Sequence, residues 1–506
     1  MLTWVCRKHF PRRLQEKFSD FYYICIMSRN KPLDIVIHDV LIENLAAEGK
    51  AISHARLEGD PEDEPGRVLF VEFAVPGDVV DVRITRKKKS FLEGRIIRIS
   101  KPSPQRLKPF CSHFGTCGGC RWQPLPYEIQ LSAKQRQVYD QLTRIGHLQV
   151  PELSPIIGSS RTIEYRNKLE FSASNKRWIL PAEDPASLSD SERCGLGFHV
   201  GKFFDKVLDI DHCWLQREPS NALRLFIKDY AIRNGFTFYD IRENHGLLRN
   251  MFVRTTDDGQ VMLIVCFGED SPAITGLLDA IVRQFPDLTS LYYVINTKGN
   301  DSISDQECRL YYGQDAIYER MEGLRFRIGP KSFYQTNTLQ ALELYRKTRE
   351  FAELTGNELV YDLYTGTGTI AQFVSSRAAR VIGIEYVPEA IEDARENARV
   401  NSIDNCEFYA GDMKDILTDS FIAQNGRPDV IIVDPPRAGM HPDVVETILR
   451  AAPRRIVYVS CNPASQARDI ALMAHKYKIT AVQPVDMFPH TMHVENICKL
   501  DYYDAD

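Results

Sequence analysis

Three groups of residues in this chain could do chemistry. Cys461, within Val457-Tyr-Val-Ser-Cys-Asn-Pro463, ends an apolar β-type run and lies 34 positions before a carboxylate, Glu495, in His493-Val-Glu-Asn496. A thiolate can add covalently to an electron-poor carbon, and a carboxylate can take up the proton that such a step must shed. Upstream is the glycine turn Asp362-Leu-Tyr-Thr-Gly-Thr-Gly368, where Gly366 and Gly368 let the backbone approach a ligand that a Cβ would obstruct. Thiol, carboxylate and glycine turn on one unit imply covalent catalysis fed by a bound nucleotide-like cofactor. The third group is Cys111-x5-Cys117-x2-Cys120, with Gly118 and Gly119 inside it, followed by Cys213 in Asp211-His-Cys213. Four soft thiolates brought together can hold an iron–sulfur centre or zinc, but structural zinc usually uses two short paired knuckles and only one C-x2-C occurs here. The plain alternative is four cysteines that bind nothing.

The elements that must position these groups follow from the pattern after residue 329. Strand candidates Leu359-Val-Tyr-Asp362, Val381-Ile-Gly-Ile-Glu385, Cys406-Glu-Phe-Tyr409, Val430-Ile-Ile-Val-Asp434 and Ile456-Val-Tyr-Val-Ser460 are separated by helical stretches, such as Pro388–Asn401. Strands spaced by helices predict a parallel, doubly wound α/β sheet with ligands at the carboxyl ends of the strands. Glu385 ends the second strand, 17 residues after Gly368, where a carboxylate can accept both hydroxyls of a ribose. Asp412, expected to end the third strand in Ala410-Gly-Asp412, is placed to meet an adenine edge. A glycine turn alone would serve a nicotinamide enzyme equally well. With Glu385 and Asp412 in register, S-adenosylmethionine is the favoured ligand. Asp434 opens Asp434-Pro-Pro-Arg-Ala-Gly439, whose two prolines stiffen the turn and fix the carboxylate over the pocket. A lone cysteine on a buried strand is usually a small hydrophobe. Between Ser460 and Asn-Pro at the carboxyl end of a strand, Cys461 reads instead as a nucleophile.

At 506 residues the chain should form roughly two to four domains. Its net charge of −5 gives no global argument for nucleic-acid binding, so any such case is local. No apolar run approaches the ~20 residues that span a bilayer, and the twelve scattered cysteines follow no secretory signal, which points to a reducing cytoplasm. Residues 1–32 read as a tail, with Met27 the expected initiator. Residues 33–100 read as short strands with Gly and Pro turns, fitting an OB-like barrel. Between Arg83 and Lys108 stand ten Lys/Arg against one acid, Glu93. These could be a solvated strand edge; on a barrel of this kind they favour RNA phosphates. Residues 101–328 mix short strands and helices without clear periodicity, apart from a helix at 126–146. Residues 329–506 form the α/β unit.

The ordered set of pieces resembles the RNA (uracil-5-)methyltransferase family, and within it the iron–sulfur branch acting on 23S ribosomal RNA. The pieces are the barrel (the family's TRAM domain), Phe333-Tyr-Gln-Thr-Asn337, Asp362–Gly368, Asp434–Gly439, Ser460–Pro463 and His493–Asn496. The resemblance implies a class I, Rossmann-like methyltransferase domain behind the barrel and a central iron–sulfur domain. It implies Gln335, Tyr364, Gly366, Gly368, Thr369, Glu385, Asp412 and Asp434 as cofactor contacts. Thr369 departs from the family pattern, which has Asn there. Cys461 is then the nucleophile, Glu495 the base, with Asp434 beside them, and Cys111, Cys117, Cys120 and Cys213 hold a [4Fe–4S] cluster. RNA is the implied partner, with no membrane and no obligate protein partner. A flat base must leave its stack to be methylated, so the uridine is expected to flip into the cleft. His490 and His493 read as structural or RNA-contacting. A transfer-RNA enzyme of the same chemistry and a non-catalytic iron–sulfur RNA-binding factor are the competing readings.

Overall fold

A computed structural model describes residues 33, 35–57, 60, 66–201 and 203–503. The expectations for residues 1–32, including the initiator, lie outside the described residues. The described chain builds three main sheets; the first has its own apolar core, and the middle and third share one of theirs.

The first is six-stranded, from Val36–Leu41 to Phe91–Lys101. Its inward positions, among them Leu69, Val71, Val80, Val82 and Leu92, are fully covered, as period-2 patterning requires of a sheet with one buried face. The basic run is only partly free. Arg98 pairs with buried Asp81 at 2.7 Å and Arg106 with fully buried Asp78 at 2.7 Å, whereas Lys87, Lys88 and Lys89 are exposed.

The middle of the chain, which shows no clear period as a sequence, folds around a seven-stranded mixed sheet. Two of its strands, Leu248–Thr255 and Val261–Phe267, are covered on both faces, so they read as unbroken apolar or mixed runs without alternation. Two helices, Ser220–Arg233 and Ala273–Gln284, pack on each other and cover it.

The third sheet also has seven strands, in the order Cys406–Ala410, Arg380–Glu385, Leu359–Leu363, Val430–Val433, Arg455–Ser460, Glu495–Tyr502 and Tyr477–Val485. The first five run parallel, and Glu495–Tyr502 runs antiparallel to both its neighbours. Strand order reverses between Leu359–Leu363 and Val430–Val433, which opens a crevice at their carboxyl ends.

The helix Tyr127–Arg144 leaves the middle of the chain and packs against Pro463–Met473 of this third unit. Its Lys134 is buried without exposure and donates to Asp486, also fully buried, at 2.5 Å, and to the Phe488 carbonyl at 3.0 Å. Asp486 accepts in addition from Tyr127 Oη at 2.8 Å and from the Phe488 amide at 3.0 Å. Burial pulls the Lys134 ammonium below its ordinary range, and Asp486 opposes that pull. A paired buried charge contributes modestly, but an unpaired one is costly. Lys134→Met should therefore lower stability by about 3–5 kcal/mol, measured as a fall in the thermal unfolding midpoint. Lys134→Met/Asp486→Asn, which removes the stranded charge and keeps an acceptor for Phe488, should recover most of the loss.

Candidate active site and cysteine cavity

The site sits where the carboxyl ends of the parallel strands meet the start of the antiparallel one. Arg455–Ser460 and Glu495–Tyr502 pair with Ser460 opposite Asn496. Cys461 and Glu495 are the next residues outward from that last pair, close enough for the Glu495 charge to act on the thiol. The 33 residues between them include the helix Pro463–Met473 and the strand Tyr477–Val485, so a long sequence separation becomes proximity in space. Val433 ends the neighbouring strand, and Asp434 follows it, with its amide donating to the Leu363 carbonyl at 3.3 Å.

The electrostatics are those of acids crowded into a covered cleft. Burial, then the charge of nearby Asp434, pushes Glu495 up to about 8. Burial and then Asp362 push Asp434 up to about 7. Cys461 is half-buried, and burial followed by Glu495 and Asp434 raises its thiol to about 11. Arg437, from the turn after Asp434, is the opposing charge: it lowers both the thiol and Glu495. Arg437 Nη2 lies 2.6 Å from His493 Nδ1. Burial, then the Arg437 charge, lowers the His493 imidazole to about 4, so it is neutral at pH 7 and accepts this hydrogen bond. Arg437 and His493 are the residues that sequence reasoning passed over. The former stood in a motif already noticed, and the latter was read as structural or RNA-contacting. Tyr345, on the helix Thr338–Ala352, lies buried near Asp434, Asp362 and Glu495 and had no sequence signal at all.

Around the glycine turn, Tyr364, Gly366 and Gly368 all have positive φ (64°, 56° and 75°). A Cβ on Gly368 would lie 2.9 Å from that of Ala394, while one on Gly366 would enter open space. The first glycine is thus required by packing and the second leaves room at the cleft. Glu385 accepts the Gly366 amide at 3.1 Å and the Val387 amide at 3.1 Å, which fixes its carboxylate across the turn. Asp362 accepts from Thr365 Oγ1 at 2.5 Å and from the Ala371 amide at 3.0 Å through one oxygen, and its buried Oδ1 has no partner. Burial pushes Asp362 up to about 7. Thr369 opens the helix Thr369–Ser375 beneath the turn, its hydroxyl 3.3 Å from that of Thr367. Asp412 does not end a strand: that strand stops at Ala410, and Asp412 caps the short helix Met413–Ile416 by accepting from the Lys414 amide at 3.2 Å. Gln335 sits part-exposed on the loop before the helix Thr338–Ala352, its carbonyl bound by Asn167 Nδ2 at 2.8 Å.

The structure also brings Cys111, Cys117, Cys120 and Cys213 to one cavity of about 410 Å³, shared with Arg166 and His113. All four thiols are free. Burial pushes every one of them up, Cys117 to about 11 and Cys120 to about 12, and neighbouring thiols add to the shift at Cys117, Cys120 and Cys213. Among the described residues, no three metal-ligating side chains converge on a position for a single ion.

Comparison with known proteins agrees with this architecture. The family described as tRNA (Uracil-5-)-methyltransferase matches residues 305–501, and the TRAM domain matches residues 37–97. A protein named an uncharacterized RNA methyltransferase from Porphyromonas gingivalis is 57% identical over 467 residues, covering 91% of this chain and 98% of its own. One of the same name from Bacteroides thetaiotaomicron is 55% identical, covering 90% of this chain and 100% of its own. Among solved structures, the Pyrococcus abyssi tRNA (uracil-54, C5)-methyltransferase, in complex with S-adenosyl-L-homocysteine, superposes with a TM-score of 0.69 at 28% identity, covering 92% of this chain and 100% of its own. A chain that matches such relatives along nearly their whole length, and carries a thiol near a buried carboxylate at the carboxyl ends of the parallel strands of a doubly wound sheet, belongs to the RNA (uracil-5-)methyltransferase family of enzymes.

Proposed function

We propose that this protein methylates C5 of a uridine in RNA, ribosomal RNA in particular, with Cys461 as nucleophile and Glu495 as base. The pairing of Ser460 with Asn496, which sets Cys461 against Glu495, carries the reading. S-adenosylmethionine, when bound, supplies an electrophilic methyl group. The residues at the glycine turn suit it. Glu385 offers carboxylate lone pairs to a ribose, and Gly366 leaves space beside it. The unpartnered Asp362 oxygen and the two acids held near 7 would gain from a cationic ligand.

The chain's own residues then account for the chemistry. Uracil C5 is a weak nucleophile. The Cys461 thiolate forms a bond to C6, and the displaced electron pair makes C5 an enolate carbon able to take a methyl group. Glu495 removes the C5 proton. That electron pair restores the C5–C6 double bond, the C6–sulfur bond breaks, and Cys461 leaves as thiolate. Arg437 stabilises the thiolate and the carboxylate, the two forms the cycle needs. The exposed Lys87–Lys89 run on the first sheet suits RNA phosphates.

The four-cysteine cavity fits a [4Fe–4S] cluster held by Cys111, Cys117, Cys120 and Cys213. The donors are all thiols, they are free, and all four line one cavity. The likeness to the Pyrococcus abyssi enzyme favours transfer RNA as a second reading of the target.

Mapping 5-methyluridine in ribosomal and transfer RNA from a strain lacking the gene decides the target: a mark lost from ribosomal RNA supports the first reading, one lost from transfer RNA the second. In vitro, Glu495→Gln should accumulate a covalent protein–RNA adduct on gels, because proton removal stalls, and Cys461→Ala should give neither adduct nor product. Both key groups are raised and act deprotonated, so kcat/KM should climb with pH through about 8 and continue upward as the thiol ionises. Arg437→Met removes the cation that lowers both, so its profile should move to higher pH and its rate at pH 7.5 should fall. A profile unmoved would contradict the assignment. Protein purified anaerobically should be brown, with about four irons per chain, whereas stoichiometric zinc would overturn the cluster.

A further inference from the structure

Residues 486–494 join the strand Tyr477–Val485 to Glu495 without forming a helix or strand of their own, yet they are tied down on two sides. On one side is the cysteine loop. The His490 carbonyl accepts from the Arg121 amide at 2.9 Å and the Trp122 amide at 3.0 Å, the first two residues after Cys120. The His490 amide donates to Gln130 Oε1 at 2.9 Å, and Gln130 Nε2 donates to His490 Nδ1 at 3.2 Å. The same Gln130 nitrogen reaches the Trp122 carbonyl at 3.1 Å and that of Leu125 at 2.9 Å. Phe110, next to Cys111, meets the His490 ring edge-on at 5.1 Å. Carbonyl, amide and ring nitrogen of one residue are thus all committed to the loop and the helix beside it.

On the other side is the reaction. Three residues on, His493 receives Arg437 at 2.6 Å, and Arg437 is the charge that lowers Cys461 and Glu495. His490 itself sits in the left-handed region, at φ 64°, a conformation that costs a non-glycine residue about 1–3 kcal/mol and persists where surroundings enforce it.

We propose that His490 is a positioning residue that locks the Cys111–Cys120 loop to the Arg437–Cys461–Glu495 site, so that the placement of Arg437 beside the nucleophile depends on the cysteine loop. This rests on Cys461 being the nucleophile. The His490 Nε2 atom has no hydrogen-bond partner among the described residues. A substitute therefore needs an acceptor near Nδ1 and tolerance of positive φ, both of which Asn supplies.

The test uses full-length, metal-loaded protein with two readouts: methylation kinetics, and the rate at which iodoacetamide alkylates Cys461, resolved by peptide mass spectrometry without RNA. His490→Ala should lower kcat by about ten- to a hundredfold while KM for S-adenosylmethionine stays within a factor of about two, and should slow Cys461 alkylation at pH 8 by about threefold or more as the cation is released. His490→Asn should return both towards the parental values. Gln130→Met, which removes the side-chain partner and leaves His490 in place, should act in the same direction and decides the matter if His490→Ala fails to fold. A folded His490→Ala with parental kcat and parental alkylation overturns the proposal, as does a loss of activity with unchanged alkylation that Asn does not rescue. Should Cys461→Ala still methylate RNA, the nucleophile assignment itself has failed, which the His490 variants cannot mimic.

Discussion

The antiparallel direction of one strand is the constraint on which the rest depends. In a wholly parallel sheet the carboxyl ends gather at one edge and the amino ends at the other. Because Glu495–Tyr502 runs against Arg455–Ser460, its first residue arrives at the edge where the other strands end. A side chain at the start of one strand can then meet a side chain at the end of its neighbour. Shifting that register by one residue would turn Glu495 to the opposite face, and the pair would be lost without any change in composition. That slip is costly, since the fully buried Ile497, Cys498 and Leu500 of the same strand would change sides with it.

Around that pair the protein accepts an electrostatic penalty. Asp362, Asp434 and Glu495 are brought into one covered region, and each is pushed towards neutrality by burial and by its neighbours. Such crowding does nothing for stability. It is what a site looks like when its complement of charge is to come from a ligand, and perturbed acids of this kind gather where chemistry is done. Arg437 is the protein's own partial answer, and its neutral partner His493 holds it without adding a competing charge.

A second organising feature is the way distant parts of the chain converge on residues 486–494. Lys134 and Gln130 reach them from one helix, Arg121 and Trp122 from the cysteine loop, Tyr165 from the segment leading into the middle sheet through a 3.1 Å bond to the Pro489 carbonyl, and Asn337 through a 3.1 Å bond to that of Met487. A segment with no ladder of its own needs such external partners for its backbone groups, and here they come mostly from the middle part of the chain. The loop that ends in the base is therefore a junction rather than a free connection.

Much of the α/β unit was legible in the sequence, because βα alternation and strand-end acids are local patterns: the strands beginning at 359, 380, 406, 430 and 455 stand where periodicity put them. The middle sheet was not, because strands covered on both faces lose the alternation that reveals a strand. Asp412 shows the limit of counting strand ends, since a residue two positions past a strand was taken up as a helix cap. Residue type and order determined the chemistry on offer: a thiol, acids, a glycine turn and four further thiols. Tertiary structure alone decided that Cys461 lies near Glu495, that Arg437 is held beside them by His493, and that Cys213 joins the other three cysteines at one cavity. Each brings together residues tens of positions apart, through strand pairing and long-range contacts rather than by any pattern that neighbouring residues can display.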